Sequence, residues 1–172
     1  AGLALTRIDW RAFNDWARFC LDNELTFNGV FDSFSNAWDA AQVVLRVGHA
    51  RFTTVGTTLS LAIYRASEPV MMFGNGNILS GSLKLNWSSI EDRSNEFEIE
   101  FYDKELGNKQ NTVRLINEDS IARGEMQRIS TTRMIGIDNE KQAYNEALFQ
   151  KAMNEGLVMS GQLEAPIESN VC

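Results

Sequence analysis

Asn95-Glu96-Phe97-Glu98-Ile99-Glu100-Phe101-Tyr102 is the stretch on which the reading of the fold turns. Successive side chains of a strand point to opposite faces, so Phe97, Ile99 and Phe101 share one side. Glu96, Glu98 and Glu100 share the other. This period of two predicts a strand with one buried and one wet face, as in an antiparallel sheet. On that reading the carboxylate row is a solvated face, or a patch that meets a basic partner.

Working outward, other short runs carry β-branched and aromatic residues suited to a pleated surface. Residues 51–55 and 59–64 flank Gly56-Thr57-Thr58 and read as a hairpin. Residues 25–31, 71–73, 112–116, 129–135 and 157–163 are further strand candidates. Residues 78–86 offer Leu79, Leu83 and Leu85 to the core.

Three segments change to the helical period. Residues 9–23 start at Asp9, a capping residue, and place Trp10, Phe13, Ala17 and Cys20 on one face, widened by Trp16 and Phe19. A second helix starts at Ser35 or Asn36 and runs to residue 47 on Ala37, Ala40, Ala41, Val44 and Leu45. Gly48 ends it where a left-handed cap is expected. Asp138 caps a third helix over residues 139–154, with Ala143, Ala147, Leu148 and Met153 on a narrow apolar side. Residues 119–124 give one more helical turn. The sum is an α+β fold: mostly antiparallel sheet with about three packed helices, in one domain over residues 1–172.

A chain of 172 residues supports a core without disulfides or metal. Its formal charge is -7, which opposes a nucleic-acid role, because phosphate binding needs clustered Lys and Arg. No apolar run reaches the roughly 18 residues of a membrane span. Cys20 and Cys172 are too sparse for a disulfide framework and read as free thiols. With no starting Met and a loop-like last stretch, the chain reads as a domain excised from a longer protein.

The search for chemistry assigns no catalytic, cofactor-binding or metal-binding residue. His49 is the single histidine, and with two separated cysteines it makes no zinc spacing. A Cys20–His49 dyad competes with a plainer reading: a packed thiol, and an imidazole just past a helix end. Glycosidases need two carboxylates converging across a sugar, which a row on one strand face does not supply. Gly74-Asn75-Gly76-Asn77 lacks the lysine of a phosphate loop and reads as a turn. Residues 103–107 lack the alternating acids of a calcium loop. Trp10, Trp16 and Trp38 lie on helices and are expected in the core. Trp87 stays open as a sugar-stacking platform.

Two tracts are candidate interaction surfaces. Residues 86–95 form a polar stretch carrying Trp87, Ile90 and Arg93. Residues 112–133 carry Arg114, Arg123, Arg128 and Arg133, and arginine is favoured at protein interfaces.

A resemblance enters on these same pieces. The acidic-aromatic helix Ile8-Asp9-Trp10-Arg11-Ala12-Phe13-Asn14-Asp15-Trp16-Ala17-Arg18-Phe19-Cys20 opens it. Leu25-Thr26-Phe27-Asn28-Gly29-Val30-Phe31 and the Trp38-Asp39-Ala40 helix follow. Ser67-Glu68-Pro69-Val70, Asn77-Ile78-Leu79-Ser80-Gly81-Ser82-Leu83, Ser120-Ile121-Ala122-Arg123-Gly124 and Glu140-Lys141-Gln142-Ala143 continue it. In order and content these segments resemble the J-like central tail-tip proteins of long-tailed phages, the host-specificity or tail-hub family, over residues 8–163. The resemblance implies a structural, non-enzymatic hub domain of the virion tail. It would pack with copies of itself as a trimer and dock to other tail proteins. The receptor-binding modules of that family have no counterpart here, so host recognition is not carried over. The alternatives are a receptor- or carbohydrate-binding module, which needs an exposed aromatic platform at Trp87, and a cell-wall hydrolase. The hydrolase needs converging carboxylates or a Cys–His pair.

Overall fold

A computed structural model describes residues 4–31, 36–69, 71–74, 76–89 and 93–166. The fold is α+β, as the sequence predicts. The alternating stretch becomes β4 (Glu96–Asp103), the central strand of a three-stranded sheet. On one side it pairs antiparallel with β5 (Lys109–Ile116), where Ile99 faces Val113. On the other it pairs parallel with β6 (Ile129–Arg133), where Ile99 faces Thr132. A short helix, α3 (Glu118–Ala122), carries the chain from β5 to β6 and is capped by Asn117.

The apolar face of this sheet is covered by α4 (Glu140–Gly156). Ile99, Phe101, Ala143 and Ala147 are at most 1% exposed, and Val47, Phe97, Val113, Met134 and Ile137 complete the core. The two alanines let the helix backbone approach the sheet closely. The cap of α4 is Asn139 rather than Asp138: the Asn139 side chain accepts from the Gln142 amide at 2.8 Å. Asp138 instead accepts from the side chains of Asn28 and Asn139.

A second, smaller core gathers Leu45, Ala50 and Leu61. It lies among α1 (Trp10–Asp22), α2 (Ala37–Val47) and the hairpin of β1 (Ala50–Val55) and β2 (Thr58–Ile63). Asp9 fastens α1 to β2. Its carboxylate accepts from Ala12 N at 3.2 Å and Ser60 Oγ at 2.9 Å, while its own amide donates to Leu59 O. These bonds, the Ser60 hydroxyl first, hold the Asp9 carboxyl below its usual range. A third unit is a two-stranded antiparallel ribbon, β3 (Lys84–Trp87) with β7 (Met159–Gln162).

Several expectations are corrected. Residues 25–31 are not a strand. Their backbone groups are satisfied elsewhere, since Gln142 bonds both N and O of Thr26 and Asn28 N donates to Gly136 O. Residues 71–73 form no strand either. Gly48 is not left-handed (φ -90); the left-handed residue is the next one, His49 (φ 50). Gly48 is required for another reason. A Cβ there would meet the Trp16 indole at 2.6 Å, and that indole N–H donates to Gly48 O at 2.8 Å. Trp10 and Trp38 are about half exposed, and α1 buries no residue fully. Leu148 is also exposed, and Leu79, Leu83 and Leu85 lie outside the core. The ribbon that carries Leu85 has no layer over it among the described residues.

Candidate functional site

An open groove of about 1040 Å³ lies between the α2–β1 corner and α4. Trp38, Phe52, Tyr64 and Phe149 supply its aromatic surface, and Trp38 stacks on Phe52 at 4.2 Å. A polar relay crosses it. His49, in its left-handed position, is turned toward α4, where its Nε2 lies 2.7 Å from Glu146 Oε2. Gln150, one helical turn on, donates to Glu146 Oε1 at 2.8 Å. Gln150 in turn accepts from Thr132 Oγ1 at 3.2 Å. The imidazole stacks flat on Phe149 at 3.8 Å. Both His49 and Glu146 are largely buried, so each satisfies a polar group that would otherwise be costly to desolvate. The relay therefore ties the smaller core to α4 and to the edge strand β6.

The Cys20–His49 dyad is not assembled. Nε2 of His49 is engaged by Glu146, and Cys20 on α1 is not part of the groove lining. Burial raises the Cys20 thiol, which opposes formation of a nucleophilic thiolate. Among the described residues no three His, Cys, Asp or Glu side chains are grouped to hold a metal ion. No helix of the described residues is long and apolar enough to cross a membrane.

The carboxylate row is not uniformly solvated. Glu96 is 1% exposed, because the Arg114 guanidinium pairs with it from β5 and the Gln127 side chain donates to it. Asp103, at the end of the strand and on the side of Phe97, Ile99 and Phe101, is also buried and accepts from Glu105 N and Asn111 Nδ2, each at 2.9 Å. Glu98 and Glu100 remain partly exposed. As the strand is central, neighbours on both sides supply donors to the acidic face.

The candidate arginines do not form one open patch. Arg93 donates to the carbonyls of Asn154 and Glu155, the open C-terminal end of α4. Arg128 donates to Arg93 O at 2.6 Å and pairs with Glu125 at 2.9 Å. Arg123 pairs with the same Glu125 at 2.8 Å. The Glu125 carboxyl is pulled down to about 2 by bonds from Arg123, Ser120 and Arg128, in that order. Asn95 completes this cluster through Ser120 Oγ, Met126 O and Arg128 N. It locks the α3 turn onto the start of β4. Arg114 and Arg133 sit apart on the two outer strands; Arg133 reaches the Tyr102 hydroxyl at 2.5 Å and lies over its ring. Ile90 lies outside the described residues.

Trp87 lies at the end of β3 and is 72% exposed. The register places Leu85 with Gly161 and Trp87 with Met159 on one face of the ribbon, and Lys84 with Gln162 and Asn86 with Ser160 on the other. The ribbon thus separates apolar from polar side chains across its two faces. Leu85 and Met159, at 49% and 45%, are exposed like Trp87. Sequence reasoning missed both the His49–Glu146 link and this pairing, because each joins residues far apart in the chain. The period-two pattern of Leu83, Leu85 and Trp87 was a usable signal for one half of the ribbon.

No protein-family model matches the sequence, and no curated protein matches it significantly.

Proposed function

We propose that this chain is a structural, non-catalytic component of a phage tail tip or baseplate hub. On this reading it resides in the virion tail, associates with copies of itself as a trimer, and docks to other tail proteins. The observation that carries the proposal is its surface. The chain exposes 12326 Å², whereas a folded monomer of 19.4 kDa exposes about 8,500 Å². Counting every residue outside the described set at the fully extended value of about 160 Å² still leaves an excess of about 950 Å². One partner in a standard interface covers only about 800 Å². Surface of this extent, rich in Leu, Met and Trp, supports a domain shaped to be covered by neighbours. The resemblance to tail-hub proteins supplies the setting.

The test is the solution mass by light scattering from micromolar concentration to the solubility limit. The expected result is a trimer, or a monomer growing toward one. A strict monomer at every concentration would sink the self-association. A second reading, a receptor- or carbohydrate-binding module, is favoured by the indole of Trp87, the most exposed of the described tryptophans. A glycan screen that scores wild type and not Trp87→Ser would select it.

A further inference from the structure

We infer that the open edge of β6, with the groove beside it, takes up an extended acidic segment of a partner protein, which joins the central sheet as a further strand. The sheet order β5-β4-β6 leaves β6 at one border. Two bonds to β4 fix which way its backbone groups point: Met134 N donates to Glu100 O, and Arg128 O accepts from Glu96 N. These groups alternate in direction along a strand, so Ser130 and Thr132 also turn theirs to β4. Ile129, Thr131 and Arg133 turn their N–H and C=O groups the other way, where they meet no partner among the described residues. Such a row is a template for another strand. The opposite border strand, β5, carries Lys109 and Arg114, charges of the kind that discourage pairing. β6 has no charge before Arg133 at its end and centres on the β-branched Thr131 and Thr132.

The groove continues this edge. Ser130 lies beside Phe97 and Thr132 beside Ile99, so both point to the face that α4 covers. The helix packs over β4 and β5, and Ser130 and Thr132 line the groove at its flank. A strand added outside β6 sets alternate side chains on that same face, toward Phe149 and Met153 of α4 and the Trp38–Phe52 stack. An extended polypeptide supplies both the donors and the acceptors that the edge lacks, at the matching spacing.

Charge sets the chemistry of that segment. Asp39, Arg46, Arg51 and Glu146 are in the groove lining. Glu146 is held by His49 and Gln150, and Asp39 accepts from Asn36. Arg46 and Arg51 form no ion pair among the described residues; Arg51 lies over the Tyr64 ring at 5.9 Å. In a chain of net charge -7, two unpaired guanidinium groups in one groove are the complement of carboxylates on an incoming segment. The site does not depend on the self-association proposed above.

The test follows the fluorescence anisotropy of a labelled, amidated peptide, Thr-Val-Thr-Val-Thr-Glu-Thr-Glu, titrated with the whole chain. Saturable binding is expected, weaker as salt rises. Thr131→Pro removes an outward N–H and no bond to β4, and should weaken binding roughly tenfold or more. Thr131→Val keeps that N–H, loses only the hydroxyl bond to Glu98, and should bind as wild type does. Arg46→Gln/Arg51→Gln should weaken binding and flatten its salt dependence. Circular dichroism checks that each variant is folded. Two further peptides, N-methylated on the Thr nitrogens or on the others, probe the wild-type chain directly. One of the two should lose binding, because only one set of N–H groups can face β6. Absence of saturable binding up to about 1 mM would overturn the site. Equal binding by Thr131→Pro, or of both methylated peptides, would overturn strand addition. A peptide with Lys for both Glu that binds as tightly would overturn the acidic partner. Self-association of wild type that Thr131→Pro abolishes would give the edge to a second copy and overturn the partner segment.

Discussion

In the central sheet, Phe97, Ile99 and Phe101 alternate with carboxylates and lie against α4, sealed from water. In the ribbon, Leu85 and Trp87 alternate with Lys84 and Asn86, and the apolar side faces solvent. The two strands follow one rule and meet opposite environments. An alternating pattern states which face needs cover; it does not state where the cover comes from. For β4 the cover is on the same chain, about 40 residues on, in the paired alanines of α4. For β3 no described element of the chain provides it.

The largest expected effect tests the sealed side. Phe101→Ala empties the largest fully buried side chain and should cost about 3–5 kcal/mol of unfolding free energy, read by urea titration. A cost below about 1 kcal/mol would mean that the layer under α4 is not closely packed, and the contrast with the ribbon would fail.

How much of this contrast was legible depends on range. The helices over residues 9–23, 36–47 and 139–154 are found within a few positions of α1, α2 and α4, because capping and 3.6-residue periodicity are local. The β1–β2 hairpin and β4 are equally local. The parallel pairing of β4 with β6 was not legible, since nothing near Ile129 says which strand it joins. Residues 25–31 failed for the converse reason. Their alternation is real, but Gln142, more than 100 residues away, takes the hydrogen bonds a strand partner would have supplied. For the candidate site, arginine positions could be read from sequence, but not that Glu125, Glu96, Tyr102 and the end of α4 would occupy those guanidinium groups.

The polar face of the same sheet gives the next effect. Arg114→Met leaves Glu96 buried, with the Gln127 side chain still donating to it and no cation beside it. The cost should be about 1–3 kcal/mol, the range for stranding a buried polar group. Adding Glu96→Gln should recover part of it, because an amide is cheaper to bury than a charge. Failure of the second substitution to recover anything would show that Arg114 acts by packing alone.

A smaller effect is expected where the chain closes the end of the sheet. The Glu125 carboxyl is lowered from its ordinary 4.5 to about 2 by Arg123, Ser120 and Arg128. A depressed carboxyl stabilises the fold fully above the unfolded value and loses that contribution as pH falls through the folded one. Wild type should therefore lose stability between about pH 4.5 and pH 2 in a way that Glu125→Gln does not. Parallel melting curves for the two proteins across that window would remove the cluster from the account of how α3 is held.

The smallest effect is expected at the ribbon, and it separates the two regions most sharply. Trp87→Ser exchanges a large apolar side chain for a small polar one, a change that in the sealed layer would be among the most damaging. At Trp87 the side chain is already in water, so in dilute monomer the stability should move by no more than about 0.5 kcal/mol. The measurement must be made below the concentration at which copies associate, because binding of folded copies to one another adds apparent stability by mass action. A loss of several kcal/mol in dilute solution would mean that this indole packs on its own chain. The two alternating strands would then be covered in the same way, and the ribbon would no longer stand apart from the sheet.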